Sequence, residues 1–165
     1  MPTKSLADLF LDHLKDIYYA ERKILTALPK MARGAQSPEL KAAFQAHRDQ
    51  TEDHVARLQE VFNLIGKPAR GKTCPAIDGI LEEGEEVLDA YKGMAAIDAG
   101  LIAAAQAVEH YEIARYGTLC RWAEVLGYDE AVELLTLTLQ EEEMTDKLLT
   151  DIADESVNQA ALQAA

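Results

Sequence analysis

The chain of 165 residues is poor in cysteine, glycine and proline, and short of positive charge. Its two cysteines, Cys74 and Cys120, form no CxxC pair. That excludes a disulfide framework and a cysteine-rich, rubredoxin-like electron-transfer module. Sixteen Lys and Arg stand against 29 Asp and Glu, a net charge of −13. A protein that reads the phosphate backbone needs clustered cations, so nucleic acid is excluded as a partner. No segment approaches the roughly 18–20 uninterrupted apolar residues of a membrane span, and the mildest run, 99–105, is mostly alanine. No basic-then-apolar leader opens the chain, so the expected location is the cytoplasm. A hydrophobic content of 48% excludes disorder despite the charge.

What is present is helical. The few glycines and prolines gather at three breaks: 34–38, 66–71 and 127–129. Between the breaks the apolar residues recur at helical spacing. Four long helices are predicted over 4–34, 38–66, 94–126 and 129–154, with a shorter amphipathic helix over 75–91. Ser37 is placed as an N-cap, with Pro38 at the first helical position. Gly66 and Gly127 stand where helices end. The first two long helices are joined by about three residues and the last two by fewer, so each pair is an antiparallel hairpin. A helix of about 28 residues is about 42 Å long, and the segment 67–93 is long enough to run back along it. The expected fold is all-α: a ferritin-like four-helix bundle of two antiparallel hairpins, with a long crossover carrying a short extra helix. Residues 1–155 form one domain. Residues 156–165 are an Ala-rich tail, expected to fray.

Each long helix has an apolar stripe with a polar interruption near its middle. The first stripe reads Phe10, Leu14, Ile17, Glu21, Ile24, Leu28, Met31. The second reads Leu40, Phe44, His47, Thr51, His54, Leu58, Val61. The third reads Ile102, Ala105, Glu109, Glu112, Tyr116, Leu119, Ala123. The fourth reads Val132, Leu135, Leu139, Glu142, Asp146, Leu149, Ala153. A carboxylate alone in a core costs several kcal/mol or is forced neutral, on the order of 2–7 kcal/mol for a polar group without a partner. Reflection of each hairpin through its turn brings all four interruptions to one level. Two metal ions would balance the charge of Glu21, Glu109, Glu112, Glu142 and Asp146. Carboxylates with imidazole suit iron, with manganese as the alternative. The second helix offers Gln50 and His54 at i, i+4. The expected metal ligands are therefore Glu21, Gln50, His54, Glu109, Glu112, Glu142 and Asp146, with His47 and Tyr18 as supporting or alternative ligands. Glu142 lies on the stripe and Glu143 points off it. Catalytic residues proper are not assigned.

Several strings resemble the YciE/YciF family: Asp16-Ile17-Tyr18-Tyr19-Ala20-Glu21-Arg22, Ser37-Pro38-Glu39-Leu40, Val108-Glu109-His110-Tyr111-Glu112-Ile113-Ala114, and Glu141-Glu142-Glu143 with Thr145-Asp146. The resemblance covers the chain through about residue 155. It implies a ferritin-like bundle, a dinuclear metal site, a homodimer and a stress-associated bacterial protein. Members of that family carry a glutamate where this chain has Gln50, which leaves the ligand from the second helix open between Gln50, His47 and His54. The expected function is a dinuclear metal protein with an oxidative-stress role, reacting with O₂ or peroxide and drawing on a separate electron donor. The alternative is a structural or interaction protein that metal merely stabilises.

Overall fold

Ser5 begins the first helix with a capping box, its side chain accepting from the Asp8 N–H while the Asp8 carboxylate accepts from the Ser5 N–H. From there α1 runs over Leu6–Gly34. Ser37 accepts from the Leu40 N–H and starts α2, Pro38–Leu64. The crossover contains α3, Pro75–Ala90, and is followed by α4, Ile97–Leu126, and α5, Asp129–Ile152. A single π-helical turn, Ala153–Val157, leads into α6, Asn158–Gln163. These elements come from a computed structural model that describes residues 3–163. Gly127 ends α4 at φ +73°, a left-handed conformation open to glycine at no steric cost.

The bundle consists of α1, α2, α4 and α5. Its α1 packs on α2 and α4, and its α5 packs on α4 and α2. Every adjacent pair is antiparallel. Phe10, early in α1, stacks on Tyr128 just past the end of α4. At the other end, the Asp98 carboxylate in the first turn of α4 accepts from the Gln36 and Ser37 N–H groups, both at 2.7 Å. This buried acid ties the first hairpin turn to the second hairpin. The hairpins are thus joined by a full-length crossover, the ferritin-like connection.

The crossover covers the seam between α1 and α4. Tyr19 of α1 donates to Asp78 near the start of α3, and Lys30 pairs with Glu85 further along. So α3 runs parallel to α1 and antiparallel to α4. Its apolar face is Ile77, fully buried, with Ile80, Leu81 and Leu88 packed on the core. Cys74 is buried and caps α3, its Sγ accepting from the Ile77 N–H at 3.4 Å.

One expectation is corrected. On α5 the buried residues are Ala131, Leu135, Thr138, Glu142, Thr145, Leu149 and Ile152. The predicted stripe shares only every seventh residue with this set. Its Val132, Leu139, Asp146 and Ala153 each sit one residue off the core face. In the tail, residues 158–163 are helical and Val157 is buried. Residues 164 and 165 lie outside the described residues.

Candidate metal centre

Four helices deliver six ionisable side chains to one level of the core. From α1 comes Glu21, from α2 His47 and His54, from α4 Glu109 and Glu112, and from α5 Glu142. None is more than 3% exposed. Such burial demands partners. The side chains form two sets, His47 with Glu109, Glu112 and Glu142, and Glu21 with His54 and Glu142; within each set one donor atom per residue lies within 4.8 Å of the others. Glu142 belongs to both sets.

The contacts inside the cluster are close but are not hydrogen bonds. His47 Nε2 lies 3.0 Å from Glu109 Oε1 and 3.4 Å from Glu142 Oε2. His54 Nδ1 lies 2.9 Å from Glu142 Oε1 and 3.4 Å from Glu21 Oε1. Yet His47 Nε2, His54 Nδ1, Glu21 Oε2, Glu109 Oε2 and both carboxylate oxygens of Glu112 and Glu142 have no hydrogen-bond partner among the described residues. Eight buried donor atoms without partners, aimed into one space, fit a pair of cations. The stoichiometry fits as well: four carboxylates carry a charge of −4, which two divalent ions neutralise while both imidazoles stay neutral.

Each imidazole is oriented from its far side. The Nδ1 of His47 lies 3.2 Å from Gln50 Oε1 and 3.3 Å from Thr145 Oγ1. The Nε2 of His54 lies 2.8 Å from Glu141 Oε2. Glu141 is gripped by Arg57, whose Nη1 and Nη2 donate to its two oxygens at 2.6 and 3.0 Å. An N–H directed to an outer acceptor leaves the inner nitrogen with its lone pair toward the cluster. This is how metal-ligating histidines are commonly set. Tyr116, fully buried, donates its O–H to Glu21 Oε1 at 2.5 Å.

Without metal, protons must hold this charge. Burial pulls His47 down, but Glu109, Glu142 and Gln50 together push it up to about 9. Burial likewise opposes the charge on His54, and Glu142 and Glu21 overcome it, pushing it up to about 11. Burial and the neighbouring carboxylates raise Glu112 well above the carboxylate range. Glu109 is raised too, by burial first and by Glu142, against the lowering effect of His47. Burial alone would raise Glu142, yet the histidines and Glu109 hold it down at about 2. The metal-free cluster is therefore a proton store that cations would discharge.

Of the predicted ligands, the structure brings together Glu21, His54, Glu109, Glu112 and Glu142. It adds His47 as a full member rather than a support. Gln50 stands behind His47 and not in the cluster. Asp146 is not brought in: on the outer side of α5 it takes bonds from His110 Nε2 at 3.1 Å and Gln106 Nε2 at 3.2 Å. Tyr18 is also apart, accepting from Gln59 and packing edge-on against Phe62. Sequence reasoning missed Glu141 and Arg57. The available signal was an arginine one turn beyond His54, facing an acid adjacent to Glu142 of the cluster.

A bundle of two hairpins with a buried core of four glutamates and two histidines belongs to the ferritin-like class, whose dinuclear members use this same donor inventory. The distribution among helices differs, since both histidines come from α2 and two glutamates from α4. The chain belongs to the family described as domain of unknown function DUF892, whose profile matches residues 5–162. It is 43% identical over 162 residues to protein YciF of Escherichia coli strain K12, covering 98% of both chains. The crystal structure of that E. coli stress protein superposes with a TM-score of 0.90 at 43% identity, covering 94% of this chain and 99% of the other. YcfI of Rhodopseudomonas palustris, provisionally described as a structural protein, superposes with a TM-score of 0.87 at 44% identity, covering 89% of this chain and 94% of the other.

Proposed function

We propose that the core cluster holds two metal ions, iron or alternatively manganese, and that the protein serves in oxidative stress. The observation that carries this reading is the set of eight buried donor atoms left without partners. Two bound redox-active ions would exchange electrons with O₂ or peroxide. The protein's own contribution is to position and to neutralise. Glu142, shared by both sets, would hold an ion on either side, and Glu21, Glu109 and Glu112 would balance its charge. Gln50 and the Arg57–Glu141 pair hold the imidazoles in the donor tautomer. The core excludes bulk water. Stress involvement is supported by the similarity to the E. coli stress protein YciF.

A homodimer is proposed, as the family resemblance implies, and electrons would come from a separate donor. Among the described residues no helix is long and apolar enough to cross a membrane.

The test is metal analysis of protein purified without chelator, followed by peroxide turnover and ferroxidation assays. Close to two ions per chain and turnover well above free metal are expected. A second reading, metal as a purely structural element, is favoured by the near-complete burial of all six ligands. It wins if loading raises the melting temperature while turnover stays at the level of free metal.

A further inference from the structure

Tyr111 directly precedes Glu112 on α4 but has no part in the core cluster. Its hydroxyl instead meets α1 and the start of α3. It donates to Asp16 Oδ2 at 2.5 Å and lies 3.0 Å from Cys74 Sγ. The phenol has one proton, and Asp16 takes it. The Cys74 S–H therefore donates to the phenol oxygen. Burial pushes the Cys74 thiol up, so the sulfur keeps its proton. Cys74 is 1% exposed, and Tyr111 and Asp16 are half-buried. Three helices thus close on one chain of thiol, phenol and carboxylate.

Helix capping and packing account for only part of this arrangement. Cys74 caps α3 through a weak sulfur acceptor, 3.4 Å from the Ile77 N–H, where Ser, Thr, Asp or Asn would cap better. A tie between Tyr111 and Asp16 needs no thiol on its other side. The Arg115 guanidinium lies 5.2 Å from the Tyr111 ring centroid. Loss of an electron alone would set a cationic ring against that cation. Loss of the electron with the proton leaves a neutral phenoxyl, and Asp16 is in place to take the proton. Thiol S–H and phenol O–H bonds are of similar strength, so the adjacent Cys74 can return a hydrogen atom to the phenoxyl.

We propose that Tyr111 and Cys74 form a one-electron relay beside the core. The oxidant is peroxide reduced in the core, which takes two electrons and two protons to give two waters, in two turns of the relay. In each turn Tyr111 gives one electron to the oxidant and its phenolic proton to Asp16. The phenoxyl then takes a hydrogen atom from Cys74, leaving a thiyl radical. A separate one-electron reductant restores the thiol: the electron goes to sulfur, and the proton returns from Asp16 through the Tyr111 hydroxyl. The source of the oxidant rests on the dinuclear reading above, whereas the relay is testable without metal.

The experiment is flash photolysis of the metal-free full chain with ruthenium tris-bipyridyl and persulfate, a source of one-electron oxidant, following the tyrosyl radical by its absorption. Cys74→Ser keeps the cap and the hydrogen bond to Tyr111, but an alcohol O–H bond is too strong to give up its hydrogen atom. Its tyrosyl signal should contain a component that lasts at least about tenfold longer than in wild type. Cys74→Ser combined with Tyr111→Phe should lack that component, which separates Tyr111 from the rest of the six tyrosines. Asp16→Asn in the Cys74→Ser background should slow its formation. Circular dichroism checks that each variant is folded. Equal lifetimes in wild type and Cys74→Ser, or a long-lived component that survives Tyr111→Phe, would overturn the relay whether or not the core binds metal. In iron-loaded Cys74→Ser, peroxide should raise the same radical, read by electron paramagnetic resonance. Its absence with two ions bound would overturn the core as its oxidant. Failure to bind two ions would remove the dinuclear reading and leave the relay standing on the metal-free result.

Discussion

His54 is held between two consecutive residues of α5, its Nε2 2.8 Å from Glu141 and its Nδ1 2.9 Å from Glu142. Neighbours on a helix point about 100° apart, so one helix rarely serves both edges of a ring. It does so here because the imidazole lies in the seam between α2 and α5. Glu142 reaches inward past it, and Glu141 reaches around its outer edge to Arg57. The adjacent acids thus divide the work, one facing the cluster and one fixing the tautomer.

That division predicts the effect of Glu141→Gln. The amide keeps the volume but loses the charge that holds Arg57 and orients His54. Metal affinity at the His54 set should fall about 10–100-fold, read by equilibrium titration. Unchanged affinity would show that packing alone holds the ring.

Glu112 has two buried oxygens without partners. Replacing it by Met removes an uncompensated carboxyl at similar volume. The metal-free protein should become more stable by about 1–3 kcal/mol. The stabilisation that metal gives wild type, about 4 kcal/mol at a thousandfold excess over the dissociation constant, should be largely lost. Thermal melts with and without metal check both signs. A variant less stable without metal would show that Glu112 has a packing role the charge argument overlooks.

The pH dependence also separates the two states. Folded-state values raised above the ordinary 6.5, to about 9 for His47 and about 11 for His54, make stability that is complete below 6.5 and lost as pH rises through those values. Glu109 and Glu112, raised above the carboxylate range, act in the same direction. Glu142, held down at about 2, contributes above its ordinary 4.5, and that contribution is lost as pH falls through about 2. The metal-free protein should lose melting temperature between neutral pH and about pH 10. Metal affinity should rise over the same range because ligands must shed their protons. Calorimetry in two buffers of different ionisation enthalpy should show net proton release on loading. Binding without proton release would contradict the assigned protonation of the metal-free core.

Two glycines at the crossover separate packing from propensity. A Cβ on Gly84 would meet Ala104 at 3.5 Å, an ordinary contact. Gly84→Ala should therefore stabilise α3 by about 1 kcal/mol. A Cβ on Gly100 would lie 2.6 Å from Val87 Cγ1, and valine has little freedom to turn away. Gly100→Ala should destabilise by about 1–3 kcal/mol of overpacking, less the helical gain. Chemical denaturation of the two variants should give opposite signs. A stabilising Gly100→Ala would mean that α3 shifts easily on the bundle.

Most of the architecture was legible in the residue order. Three clusters of Gly and Pro marked the turns, Ser37-Pro38 marked the start of α2, and the length of the crossover marked the direction of the second hairpin. The stripes on α1, α2 and α4 were legible because their apolar members are large and regularly spaced. On α5 the stripe was ambiguous. Leu135, Glu142 and Leu149 repeat every seven residues, and both a 3-then-4 and a 4-then-3 alternation pass through them. The first selects Thr138 and Thr145, whose hydroxyls give no strong sign of a core face. The second selects Leu139 and Asp146, an apolar residue and a plausible ligand. The structure buries the threonines, and only contact with α2 and α4 decided between the two.

By itself, then, the sequence determined that four helices would bury polar groups at one level, because helical period and hairpin symmetry are local properties. It also determined the donor types, glutamate and histidine, and so the kind of metal they suit. Which nitrogen of each imidazole faces inward, which group stands behind it, and which carboxylate belongs to both sets were decided by the tertiary structure. Those properties depend on the rotation of each helix about its axis, and that rotation is set by the packing of all four helices together.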